Sequence, residues 1–169
     1  MQATSVKKNL RGETLIELLA YIGIATIVLG AIMSSQSLIL RARQRFAAAS
    51  QVEEQAMIIM STIGHTIRNS GALSTPTNGL TAPSLHVTTD VPATTPTVIS
   101  LSGTTLQMTE GTGAAIALTP PTVKTASLSF QNISDPSTPG IVQVKFTLTT
   151  SYSQGGTYSH SYQASYARR

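Results

Sequence analysis

KKNLRGETLIELLAYIGIATIVLGAIM, Lys7 to Met33, decides how this chain is read. Three basic residues, Lys7, Lys8 and Arg11, precede an apolar run, and from Thr14 to Leu40 the only acidic or basic side chain is Glu17. A run of that kind exceeds the roughly 20 apolar residues a helix needs to cross a bilayer. A carboxylate inside a span costs about 2.5–3.5 kcal/mol at the helix centre and less near the interface, so Glu17 calls for a partner or a purpose.

Arg41, Arg43 and Arg45 follow the run, and no proline occurs before Pro76. Apolar residues continue as Phe46, Ala49, Val52, Ala56, Ile59, Ile63 and Ile67, in steps of three and four that trace one helical face. The simplest expectation is one helix from about Thr14 to about Asn69, apolar all round at first and amphipathic afterwards. At about 1.5 Å per residue such a helix is far longer than the roughly 30 Å hydrocarbon core, so its second half lies outside the membrane. Asn69-Ser70-Gly71 reads as the stop, because Asn and Gly tolerate the left-handed conformation that ends helices.

After Gly71 the composition changes to Thr, Ser, Pro and Gly, with short alternating runs: TVISLS, TLQMT, AIALT, ASLSF, VQVKFTLTTSY and YSHSYQASYA. Alternation with a period of two predicts strands, and the prolines fall between the runs, where a missing amide donor is tolerated. SQGG between the last two runs predicts an antiparallel hairpin turning near Gly155 and Gly156. Leu73–Thr97 reads either as loops and strands or as a linker. The expected class is α+β, a long amino-terminal helix packed on a small antiparallel sheet. The expected segments are a basic leader (1–12), a membrane-spanning helix (13–40), its amphipathic continuation (41–70) and a Ser/Thr-rich β domain (71–169). Val52, Ala56, Ile59, Ile63 and Ile67 are the residues expected to pack on the sheet.

Composition narrows the function. Of 169 residues 41% are hydrophobic and only 11% charged, and the mean hydropathy of +0.12 favours a membrane-associated class. The net charge of +4 is grouped around the apolar run. Past Arg68 the basic residues are Lys124, Lys145, Arg168 and Arg169, too scattered for the stripe that neutralises nucleic-acid phosphates. The absence of cysteine excludes disulfides, thiolate metal sites, thiol catalysis and a lipidated cysteine. His65, His86 and His160 are isolated, no phosphate-binding glycine loop is present, and Asp135 is a lone carboxylate in its loop. Neither a catalytic site, a metal nor a cofactor is expected, and Asn132-Ile133-Ser134 is a formal glycosylation sequon. A conventional secretory signal has a shorter apolar core and a small-residue cleavage site, which this run lacks. Thr26, Gly30 and Ser34 recur at every fourth position, a small-residue face that permits close helix packing.

RGETLIELL, Arg11 to Leu19, resembles the processing site of type IV prepilins and pseudopilins: a basic leader ending in glycine, an apolar start after it, and glutamate as fifth residue of the new chain. The resemblance implies cleavage after Gly12 by a prepilin peptidase, N-methylation of Glu13 and a filament-assembly role for Glu17. Glu13 departs from the phenylalanine or methionine usual at that place. The resemblance also implies a leader left in the cytoplasm, a single pass through the cytoplasmic membrane and a carboxyl-terminal domain outside; three basic residues on each side leave orientation by charge ambiguous. Its implied partners are other pilins or pseudopilins, the peptidase and the inner-membrane assembly platform. MIIMSTIGHTIRNSG, Met57 to Gly71, is similar to the helix end of J-type minor pseudopilins and minor pilins, in its Ile67-Arg68-Asn69. Pili, secretion machines and DNA-uptake (competence) systems all use this amino-terminal design. A single-pass anchor carrying an extracytoplasmic binding or adhesion domain shares the span without needing the cut.

The implied chemistry is sound by itself. A cut after Gly12 creates an α-amino group about one helical turn before Glu17. In a packed filament the amine of one subunit neutralises the Glu17 of a neighbour, where low dielectric strengthens the attraction and an unpaired carboxylate is costly.

Overall fold

The computed structural model describes residues 13–135 and 140–168. They form an α+β architecture: one helix, α1 (Glu13–Arg68), and nine strands in two antiparallel sheets. The strands are β1 (Ser70–Thr75), β2 (Thr81–Ala82), β3 (Leu85–Thr89), β4 (Thr97–Ser102), β5 (Thr105–Glu110), β6 (Ile116–Ala117), β7 (Val123–Asn132), β8 (Ile141–Tyr152) and β9 (Gly156–Ala167). One sheet has the order β1-β3-β4-β5-β6, the other β2-β7-β8-β9. The chain divides into two compact units, Met1–Arg43 and Gln44–Arg169. In the first, the described residues are helix, and it is long and apolar enough to cross a membrane.

The second unit is built on the last turns of α1. Val52, Ala56, Ile59, Ile63 and Ile67 are 0–1% exposed and share one core with Leu85, Val87, Ile99 and Leu106 of the first sheet. The same core takes in Phe130, Val142, Val144, Phe146 and Leu148 of the second sheet. One stripe of α1 thus serves both sheets, and each of its Val and Ile side chains contributes about 1.5–3 kcal/mol by burial. The sheet patterns follow the alternation in the sequence. In β8, Val142, Val144, Phe146, Leu148 and Thr150 are buried and their neighbours are not. In β7 the buried set changes from Val123 and Thr125 to Leu128, Phe130 and Asn132, because a register shift between Thr125 and Ser127 inserts one residue and reverses the side-chain parity.

Four expectations are corrected. The strands make two sheets rather than one, and Leu73–Thr97 contributes to both: the end of β1, β2, β3 and the start of β4. Phe46 is 74% exposed and Ala49 half-buried, whereas Ala48 is buried. For Phe46 the reason is rotational: it lies six residues before Val52, about 120° short of two full turns at about 100° per residue, while 48, 52, 56, 59, 63 and 67 stay on one face. AIALT forms only the two-residue β6; beyond it the Leu118 amide donates to the Leu106 carbonyl (2.7 Å) and the Leu106 amide to Thr119 Oγ1 (3.1 Å). Finally, α1 does stop at Arg68, but Gly71 is not left-handed and belongs to β1. The stop is made by hydrogen bonds: the Asn69 amide donates to the His65 carbonyl (3.1 Å) and Ser70 Oγ to the Ile67 carbonyl (2.8 Å). These occupy carbonyls that a helix end leaves unpaired.

The hairpin of β8 and β9 is formed as its turn signal implied. A short 3-10 turn, Ser153–Gly155, joins the strands, Gly155 has φ +75°, and Tyr152 pairs with Gly156.

Candidate functional site

Within the first unit Glu17 is surrounded by exposed apolar side chains. Leu15, Ile16, Leu18, Leu19, Tyr21, Ile22, Ile27 and Ile32 are all solvent-facing, from Ile32 at 48% to Ile27 at 73% exposed. No ordinary water-soluble helix leaves a whole circumference of Leu and Ile uncovered. Among the described residues the carboxylate has one partner: the Tyr21 hydroxyl, one turn on, donates to Glu17 Oε1 at 3.2 Å. Tyr21 was legible in the sequence through its four-residue spacing from Glu17, which places the two on the same helical face. Glu13 opens α1. Gly12 and the leader residues Lys7, Lys8 and Arg11 lie outside the described residues.

Two hydroxyls of this segment are paired along the helix. Thr26 Oγ1 donates to the Gly23 carbonyl and Ser37 Oγ to the Ser34 carbonyl, both at 2.8 Å. Such back-bonding pairs a hydroxyl without help from water. A methyl group added at Gly23 or Gly30 would meet no atom within 4 Å, so the small-residue positions are open on the surface of this unit.

In the second unit, α1 is locked to β9 around a glycine. Gly64 is buried beneath the Tyr166 ring, and a Cβ there would lie 2.5 Å from Tyr166 Cε1. The Tyr166 hydroxyl donates to the Met60 carbonyl (2.9 Å) and the Arg68 guanidinium sits 5.6 Å from the ring centroid. Arg168 completes the clasp by donating to the Gly71 carbonyl (2.8 Å). Burial raises the Tyr166 phenol above its usual 10.0, with Arg68 pulling the other way. Burial likewise raises Tyr162, reinforced by Tyr158 and Glu53. The Tyr162 hydroxyl is buried and has no hydrogen-bond partner among the described residues. The sequence did not single out this lock: Gly23 and Gly30 are equally isolated glycines of the same helix, and no other part of the chain packs on them.

His65 and Asn69 meet at the end of α1 (Asn69 Nδ2 to His65 Nε2, 2.9 Å) beside a cleft that Asp90 and Glu110 also line. His160 is exposed on β9 between Tyr158 and Tyr162, its ring 4.8 Å from that of Tyr162. Among the described residues no three His, Asp or Glu side chains are grouped to hold a metal ion. Arg41, Arg43, Arg45, Glu53 and Glu54 are exposed on α1.

Comparison of the chain with protein-family models, with curated proteins and with solved structures yields no match.

Proposed function

We propose that the chain is a non-enzymatic structural subunit, a minor pilin or pseudopilin, of a type IV pilus or a type II secretion-like filament. The observation that carries the proposal is Glu17: a carboxylate five residues after Gly12, at the start of a helical segment whose Leu and Ile side chains are exposed on every face. Neighbouring helices of the same kind would cover that surface, and a new amino terminus at Glu13 would supply a positive charge for Glu17 to meet. In this reading a prepilin peptidase trims the chain after Gly12, Glu13 is N-methylated, and the subunit waits in the cytoplasmic membrane with its β domain outside. The inner-membrane assembly platform then draws it into a filament at the cell surface or in the periplasm. Ile67-Arg68-Asn69, where α1 is clasped to β9, supports a minor subunit of the J type.

Mass spectrometry of the protein isolated from its host tests the proposal. A chain beginning at Glu13 is the expected result. A chain retaining the leader refutes it and favours a single-pass anchor for a binding or adhesion domain.

A further inference from the structure

Of the four asparagines, Asn9, Asn69, Asn78 and Asn132, only Asn78 is followed by glycine. That pair is chemically weak. The backbone nitrogen after an asparagine can attack the side-chain Cγ, and glycine, without a Cβ, obstructs the approach least. The pair forms the centre of an exposed turn, residues 77–80, closed by the Leu80 amide donating to the Thr77 carbonyl (3.0 Å), with Gly79 at φ +76°. The nitrogen that would attack is engaged: the Gly79 amide donates to the Asn132 carbonyl (2.9 Å) and the Asn132 amide to the Leu80 carbonyl (3.0 Å). These two bonds carry the β2–β7 ladder on into the turn. The buried Asn132 side chain holds the start of the same loop, Nδ2 donating to the Pro76 carbonyl (3.1 Å). It is braced in its turn by the Ser134 amide (3.1 Å) and hydroxyl, both donating to Oδ1. Asn132 thus grips residues 76–80 at both ends.

We propose that Asn78 is a site of spontaneous deamidation that the fold keeps shut, so that it is modified only when this loop opens. The reaction needs the Gly79 nitrogen stripped of its proton and brought against Cγ of Asn78. In the closed loop the N–H is held by the Asn132 carbonyl and the grip at both ends fixes the turn; opening releases both. Hydroxide then takes the Gly79 amide proton, the nitrogen attacks Asn78 Cγ, and the bond from Cγ to the side-chain nitrogen breaks. That nitrogen leaves as ammonia, with a proton from water that restores the hydroxide. Water opens the resulting cyclic imide at either carbonyl and leaves aspartate or isoaspartate. Both products carry a new carboxylate, and isoaspartate adds one atom to the main chain inside the turn, so that β2 no longer meets β7 in register. The change is therefore written only in an open loop and then keeps that loop from closing. Asn132 lacks these conditions, being buried, paired through its side chain and followed by the β-branched Ile133. The site lies wholly in the second unit and is independent of the filament reading.

The test incubates the full chain in detergent micelles at mildly alkaline pH, folded and, in parallel, unfolded in urea, and follows each asparagine by peptide mapping that reads both the mass change and the isoaspartyl linkage. In the unfolded chain Asn78 is expected to convert before Asn9, Asn69 and Asn132. In the folded chain its conversion is expected to be at least about tenfold slower, as the loss of two or more hydrogen bonds on opening requires. Amide hydrogen exchange at Gly79 supplies the second measurement. Attack needs that amide released, so conversion must be slowed by no smaller a factor than exchange is. Asn132→Asp keeps the oxygen that Ser134 uses and removes the donor to Pro76; in a folded variant both rates should rise. If circular dichroism shows that this variant does not fold, the wild-type conversion and exchange decide alone. Equal conversion in the folded and unfolded chains, a slowing smaller than that of Gly79 exchange, or an unfolded chain in which another asparagine converts first overturns the proposal. A folded Asn132→Asp chain that converts at the wild-type rate does so too.

Discussion

Gly64→Ala sets helix propensity against packing, and the structure says which wins. In an exposed helix interior the change stabilises by about 1 kcal/mol. Here the new Cβ would lie 2.5, 2.9 and 3.1 Å from Cε1, Cδ1 and Cζ of Tyr166, so the ring must move. Moving it forfeits the hydrogen bond to the Met60 carbonyl, about 1 kcal/mol, and weakens the contact with Arg68, about 0.5–1 kcal/mol. Repacking around an inserted methyl adds about 1–3 kcal/mol. The net effect is a destabilisation of about 1.5–4 kcal/mol, against the sign that propensity alone gives. Denaturant unfolding of the full chain in micelles, followed by near-ultraviolet circular dichroism of its tyrosines, measures it. The decisive comparison is a double-mutant cycle with Tyr166→Ala. Without the ring, Gly64→Ala is expected to stabilise by about 1 kcal/mol, so the substitution changes sign between backgrounds. Stabilisation by Gly64→Ala in the presence of Tyr166, or an equal cost with and without it, refutes the reasoning.

Other outcomes follow from the same geometry. Ile63→Ala, at a fully buried position of the stripe that joins both sheets, should cost about 2–5 kcal/mol in the same unfolding assay. Tyr162→Phe should be neutral or stabilising, because it deletes a buried hydroxyl without a partner, while Tyr166→Phe should cost about 1 kcal/mol; equal effects would contradict the assigned partners. Both phenols have folded-state values raised above the usual 10.0. Their contribution is therefore fully present below that value and is lost as the pH rises through the folded-state value. Alkaline unfolding curves should show it, and Tyr166→Phe should lessen the loss. Glu17→Ala should leave insertion and trimming intact, judged by membrane fractionation and mass spectrometry, yet keep the subunit out of purified filaments; normal incorporation would count against the assembly role.

The α1 helix was legible almost to the residue, from about Thr14 to about Asn69 in sequence against Glu13–Arg68 in the structure. An unbroken apolar run followed by apolar steps of three and four leaves a chain few other ways to pair its backbone. The strands with clean alternation were legible for the same reason, and so was the turn between β8 and β9. Spacing also marked Glu17 and its place relative to Gly12, because a carboxylate in an apolar run is conspicuous without any structure. Long-range contacts were not legible. Which of Phe46, Ala48 and Ala49 faces the core depended on where the sheets lie, and the division into two sheets depended on pairings between strands far apart in the chain. The bulge in β7 and the ring over Gly64 are tertiary facts of the same kind: each residue's neighbours come from elements that local periodicity does not connect. The sequence by itself determined an apolar helix, its one carboxylate and a β domain after it; only the tertiary structure decided that Gly64 must stay a glycine and that β9 ends its sheet, because both depend on what the folded chain brings alongside.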